Sequence, residues 1–284
     1  MNTEIRTTVD RLLEDLKARL AAPGTSLLPL LTTMSRFAKY SLANQFLIFA
    51  QRPEARCVMG YRAWQKAGYQ VRKGEHGIAI YAPMRFKPRD GVAADPDSAA
   101  TSPRLGFRVA YVFDISQVDG LPGTDTTLLG APTPADSPDA HRANEQLKAF
   151  LFGHNIELEY RTLAPGHYGE TNGRRITCAT GLPTAVEFGT LAHETAHVLL
   201  HFPADGSARP DLTTRETEAE AVTFLLCAQL GIDGTDASID YIRAYRGTPD
   251  TLEASLTRIR ATAQRLVSEL TAIRFDIGAD PDPA

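Results

Sequence analysis

The stretch "FGTLAHETAHVLLHF", residues 188–202, constrains this chain more than any other part of it. Leu191, Ala192, Ala196, Val198 and Leu199 predict a well-buried helix over about 184–201, and burying two histidines and a glutamate there is costly unless each finds a partner. Helical spacing puts His193 and His197 on one face about one turn apart, so both imidazoles can point at a single ion. Glu194 is offset by roughly 100° around the axis, close enough to reach a water on that ion without ligating it. The pattern therefore points to a zinc site of hydrolase type. Two neutral histidines hold the metal, a water fills an open position, and Glu194 is the candidate catalytic base. The plainer alternative is a pair of solvent-facing histidines on an amphipathic helix.

Such a site needs a third protein ligand. The downstream helix "TRETEAEAVTFLLCAQ" offers Glu216, Glu218 and Glu220. Glu216 and Glu220 are four apart and share a face, so one binds zinc and the other hydrogen-bonds a ligating histidine. Glu216 is favoured as ligand and Glu220 as support. A competing use for Glu216 is the capping box Thr213-x-x-Glu216, which would hold it at the helix end. Glu218 points elsewhere and reads as a solvated charge. His201, one turn beyond His197, reads as a helix end rather than a ligand. Tyr168, Tyr241 and Tyr245 are candidate oxyanion donors, and spacing does not choose among them.

The remaining pattern predicts an α+β fold. An amphipathic helix through Ile5, Val9, Leu12, Leu13, Leu16 and Leu20 stops at Ala22-Pro23-Gly24, and a second helix runs through 38–51. A short helix "RAWQKAG" follows, with Trp64 as core anchor. The runs around Lys73-Gly74-Glu75-His76-Gly77 read as a hairpin, and a strand "FRVAYVFD" completes a small antiparallel sheet. Residues 87–106 read as a disordered insertion. A Pro- and Gly-rich linker at 121–138 separates residues 1–125 from a mainly helical second domain, 126–284, with a short sheet from "IELEYR" and "GRRITCA". Further helices are predicted at "DASIDYIRAYR" and after Thr248-Pro249, followed by a frayed C-terminal tail.

Charge is unevenly distributed. Residues 1–120 hold 17 Lys and Arg against 11 Asp and Glu, whereas residues 121–284 hold 13 against 23. Within 35–90 the ratio is 11 to 3. Positive charge interleaved with aromatics is what grips single-stranded nucleic acid, through phosphate contacts and base stacking. Arg62, Lys66, Arg72, Lys73, Arg85 and Lys87 are the candidate phosphate contacts, and Tyr40, Tyr61 and Tyr69 the stacking candidates. The three cysteines, Cys57, Cys178 and Cys227, are far apart and fit reduced thiols. No signal-type or membrane-spanning run is present, so a cytoplasmic protein without membrane partners is expected.

"TLAHETAHVLLH" followed by "RETEAEAVTFLLCAQLGI" resembles the zincin domain of ArdC antirestriction proteins and of ImmA/IrrE-type metallopeptidases. "KYSLANQFLIFAQ", "GYRAWQKAGYQVRKGEHGIAIYAP" and "YVFDISQVDGLP" resemble the ArdC N-terminal domain. The resemblance implies single-stranded-DNA binding by the first domain, zinc held by His193, His197 and Glu216, and a plasmid-borne role in protecting incoming DNA against restriction. The ImmA/IrrE likeness implies the alternative, a regulatory metallopeptidase acting on a protein substrate.

Overall fold

In the computed structural model we describe residues 2–22, 24–85, 105–121, 138–203, 208–232 and 248–273. The insertion expected at 87–106 lies outside these except for its last two residues, which already belong to a strand. The body of the 121–138 linker, the "DASIDYIRAYR" helix with Tyr241 and Tyr245, the C-terminal tail and Lys87 also lie outside. The chain forms two compact units, each built from two segments. One comprises residues 1–16 and 39–128, the other 17–38 and 129–284.

Helix α1 (Asn2–Leu20) runs from the first unit into the second. The first unit further contains α3 (Leu42–Gln51), β1 (Val58–Gly60), α4 (Tyr61–Lys66), β2 (Tyr69–Val71), β3 (Ile78–Arg85), β4 (Leu105–Asp114) and β5 (Val118–Gly120). Helix α2 (Leu28–Arg36) belongs to the second unit. Ser41 starts α3 as its N-cap, accepting from the Asn44 N–H, so the helix begins later than its apolar pattern suggests. Strands β1, β4 and β3 make an antiparallel sheet in that order, and β2 pairs with β5. The runs flanking Lys73–Gly77 therefore do not form a hairpin with each other.

The reason lies in the corner after β4. Gln117 donates to the Glu75 carboxylate and the His76 carbonyl, both at 2.9 Å. Its side-chain oxygen, Oε1, accepts the Asp114 N–H at 2.9 Å. The turn is thus fastened to residues 114–117, and β2 and β3 diverge to different partners.

Asp114 is 1% exposed and its carboxylate is fully used. Oδ1 accepts the Arg56 and Cys57 N–H groups at 2.8 and 3.0 Å, and Oδ2 accepts the Ser116 N–H and hydroxyl at 3.0 and 2.6 Å. Burial pushes the Asp114 pKa up, but the Ser116 hydroxyl and the three backbone donors outweigh it and hold the carboxyl below its ordinary value.

The outer edge of β3 is closed by side chains of α3. Asn44 gives its amide N–H to the Tyr81 carbonyl at 2.9 Å and accepts the Tyr81 N–H at 2.8 Å. Gln51 does the same at Ala79, with both bonds at 2.9 Å. Two amides thus stand in for a missing strand and keep the sheet edge from pairing elsewhere. Beside this, Trp64 is buried with Tyr69, Val71 and Val118, and its indole N–H donates to the Phe113 carbonyl at 2.8 Å.

The second unit is mainly helical. It holds α2, α5 (Pro138–Gly153), β6 (Glu157–Arg161), β7 (Gly169–Thr171), β8 (Arg175–Ala179), α6 (Thr184–His201), α7 (Leu212–Leu230) and α8 (Pro249–Ala272). Strand β8 is central, parallel to β6 and antiparallel to β7. The N-cap of α7 is Asp211, which accepts the Thr214 N–H at 3.1 Å. The Thr213–Glu216 capping box is therefore replaced, and Glu216 sits a full turn inside the helix. Gly231 ends α7 in the left-handed conformation, φ 71°. Helix α6 packs on α7, and α7 on α2 and α8. Ala192, Ala196 and Ala219 are fully buried, small enough to let α6 and α7 approach closely.

Candidate metal centre

The close approach of α6 and α7 brings His193, His197 and Glu216 together, with one donor atom from each within 4.8 Å of the others. The two Nε2 atoms are 3.0 Å apart. Glu216 Oε2 lies 3.4 Å from His193 Nε2 and 3.5 Å from His197 Nε2. Ligands at about 2.0–2.1 Å from a tetrahedral zinc ion are separated by roughly 3.3 Å, so the triangle is of the right size for one. Two imidazoles and a carboxylate are also a donor set that suits a borderline divalent cation. The residues present fit a divalent metal.

Glu220, on the same face of α7 as Glu216, reaches the opposite nitrogen of His193, Nδ1, at 3.3 Å. Burial works against a charged His193, yet Glu216 and Glu220 together carry its pKa up to about 10. The histidines in turn hold the Glu216 carboxyl well below the usual range despite its burial. This is a pocket of negative potential that favours a cation. Glu194 is 7% exposed, and its pKa is raised, chiefly by desolvation.

Strand β7 passes over this part of α6. A Cβ at Gly169 would stand 2.6 Å from the Thr190 methyl and 3.1–3.2 Å from Glu194 Cγ and Oε1. Tyr168, the oxyanion candidate beside it, is exposed.

Two residues correct the sequence reading. Glu218 is not solvated: it is 1% exposed, accepts from the Ser255 hydroxyl at 2.6 Å, and pairs with Arg258. His201 is more than a helix end. It is also 1% exposed, with Nδ1 at 3.0 Å from His197 Nδ1 and Nε2 at 3.0 Å from Glu218 Oε2. The misleading premise was that α7 has a solvent face at Glu218. With α6, α2 and α8 around it, that position is interior. The signal available was the i, i+4 continuation of the histidine row from His197 to His201.

The DNA candidates divide differently. Tyr61, Arg62, Lys66 and Lys73 are exposed in the first unit, and the Tyr61 hydroxyl accepts from Gln70 at 3.0 Å. Tyr69 is 5% exposed and packs edge-on against Trp64, so neither ring face is available for a base. Arg72 is committed to Glu75, Asp119 and the Ser116 carbonyl. Tyr40 is half-buried, with its hydroxyl on the Val58 carbonyl at 3.2 Å. Arg85 closes β3, and its side chain lies outside the described set. Phe107, Arg108 and Tyr111 on β4, absent from the sequence reading, are exposed.

Among the described residues, no helix is long and apolar enough to cross a membrane. Residues 2–113 match the model of the N-terminal domain of anti-restriction factor ArdC. An uncharacterized protein of Bacillus anthracis is 23% identical over 94% of this chain. The chain spans about half, 51%, of the length of that relative. Among solved structures, the chain is similar to the antirestriction ArdC protein from the R388 plasmid. The Mn(II)-bound form matches at TM-score 0.53 and 21% identity, covering 94% of this chain and 99% of that one. The metal-free form matches at TM-score 0.50 and 22% identity, covering 82% and 85%. The chain carries the ArdC N-terminal domain over residues 2–113 and shares the fold of the R388 ArdC protein along most of its length.

Proposed function

We propose that this protein is an antirestriction protein that binds single-stranded DNA through its first unit and carries a zinc-dependent, hydrolase-type centre in its second. Support for the first half comes from the ArdC N-terminal match and from exposed Tyr61, Arg62, Lys66 and Lys73, a combination of stacking and phosphate-binding groups. Phe107, Arg108 and Tyr111 extend the same chemistry. The observation that carries the second half is the donor triangle of His193, His197 and Glu216 with buried Glu194 next in sequence.

A zinc ion held by those three side chains would lower the pKa of a water and polarise a scissile carbonyl. The rest falls to the chain. Glu194 takes the proton of the attacking water and delivers it to the leaving amine as the C–N bond breaks. Its raised pKa brings proton uptake closer to neutrality. Glu220 holds His193 in orientation from the far nitrogen. Gly169, lacking a side chain, leaves Glu194 the space to act.

The test is fluorescence anisotropy of labelled single-stranded and duplex DNA across a salt series, with wild type, Glu194→Gln and metal-stripped protein. Tight, salt-sensitive, single-strand-preferring binding that survives Glu194→Gln supports the DNA reading and separates it from the metal centre. No binding at moderate salt overturns it.

A further inference from the structure

Beyond its three donor atoms, the metal centre continues into a buried chain of polar groups that ends on α8. We propose that His201 and Glu218 are positioning residues that set the tautomer of His197, so that its Nε2 lone pair, and not an N–H, faces the metal. This rests on the reading of His193, His197 and Glu216 as a metal site.

The protons are fixed one after another inward from Arg258. Glu218 Oε1 is filled by two donors from α8, the Arg258 guanidinium and the Ser255 hydroxyl. A carboxylate beside a guanidinium only accepts, so the group facing Oε2 must donate. That group is His201 Nε2, 3.0 Å away. With its proton on Nε2, a neutral His201 presents a bare Nδ1. The atom facing it at 3.0 Å is His197 Nδ1, which must then carry a hydrogen. A neutral His197 protonated on Nδ1 has its lone pair on Nε2, the nitrogen that faces His193 Nε2 and Glu216. With both imidazoles neutral, every link is one donor on one acceptor, and no other arrangement of their protons satisfies all of them. His201 and Glu218 are each 1% exposed, so water does not compete for these bonds.

The two histidine ligands are thereby oriented by different devices. His193 meets a carboxylate directly, Glu220, whereas His197 meets one through an intervening imidazole. Metal-ligating histidines are commonly oriented by a carboxylate or carbonyl, and losing that partner weakens metal binding by about ten- to a hundred-fold. The extra imidazole places the carboxylate under the control of α8, through Ser255 and Arg258.

The experiment uses the full chain. ¹⁵N–¹H correlation spectra of the metal-free protein report the His197 tautomer, and calorimetric titration with Zn²⁺ and with Mn²⁺ reports affinity. Wild type should show His197 protonated on Nδ1. Glu218→Gln can donate as well as accept, so it should mix the His197 tautomers and weaken metal binding by about ten- to a hundred-fold. Arg258→Met, at the half-exposed end of the chain, keeps the fold safer and should show a smaller loss in the same direction. Thr223→Ala, a buried change on α7 away from the chain, should lower thermal stability without altering tautomer or affinity. Unchanged tautomer and affinity in Glu218→Gln and Arg258→Met overturn the proposal while leaving the metal site standing. A wild type that binds no metal yet shows the Nδ1 tautomer removes the metal reading and keeps the chain of hydrogen bonds.

Discussion

Gly169 lies so close to Glu194 that a single added carbon would press on the carboxylate: the Cβ position is 3.1 Å from Glu194 Cγ and 3.2 Å from Oε1. The Thr190 methyl is nearer still, at 2.6 Å, so Gly169→Ala should displace Thr190 and press on Glu194 without touching any ligand. Metal stoichiometry should stay at the wild-type level while hydrolytic turnover falls, which metal analysis and a peptide-cleavage assay measure side by side. Loss of metal together with activity would show that β7 supports the ligands rather than Glu194.

His193→Ala removes one corner of the donor triangle. The variant should lose bound metal and, with it, the thermal stabilisation that added metal confers on wild type. For a ligand at a hundred times its Kd, that stabilisation is about 2.7 kcal/mol. A melting series with and without Zn²⁺ checks this, and retention of full metal would remove the assignment.

Asn44 and Gln51 close the β3 edge by paired bonds at Tyr81 and Ala79. Asn44→Ala leaves the Tyr81 N–H and carbonyl without these partners, at a cost of about 1–3 kcal/mol. Hydrogen exchange should accelerate at the Tyr81 amide, and Gln51→Ala should do the same at Ala79. Equal acceleration at both sites from either change would mean that the edge opens as one piece.

Asp114 gives a pH dependence whose sign is fixed by its depressed pKa. Its ordinary value is 3.8, and the folded value lies lower, so it contributes stability above the ordinary value and loses it as pH falls through the folded one. Below pH ~4 the wild-type melting temperature should drop more steeply than that of Asp114→Asn, whose amide cannot titrate. Parallel curves from pH 7 to pH 3 would show that other groups dominate acid unfolding.

Exposed and committed cations should behave differently toward DNA. Arg62→Ala with Lys66→Ala should reduce the slope of log K on log salt for single strands by about 1.4 at unchanged stability. Arg72→Ala should destabilise the turn and leave the slope nearly as it was, since its guanidinium is held by Glu75 and Asp119. Tyr61→Ala should weaken binding by about 1–3 kcal/mol if a base stacks there.

Much of this was legible in advance. The apolar flanks of the His-Glu-Thr-Ala-His run predict a helix over 184–201, and the structure has Thr184–His201. Helical spacing alone puts Glu216 and Glu220 on a shared face, because that periodicity is local. What failed depended on packing between elements. Glu218 looks solvated until α8 is laid against α7. Tyr69 looks available until Trp64 packs on it. The runs around Lys73–Gly77 look like a hairpin until Gln117, far along the chain, fastens the turn. Helix α2, with Pro29 at its start, lies between the two amphipathic patterns that drew attention and had no predicted counterpart.

The assignment of residues 17–38 to the second unit has a consequence for synthesis. Helix α2 leaves the ribosome long before α7, the helix it covers, although Leu30, Leu31 and Met34 are destined for burial. The second unit therefore waits for its C-terminal half with an apolar helix already in solution. A fragment cut at residue 126 would expose the α7 face that α2 seals, so solubility of the separated halves should depend on which of them keeps residues 17–38.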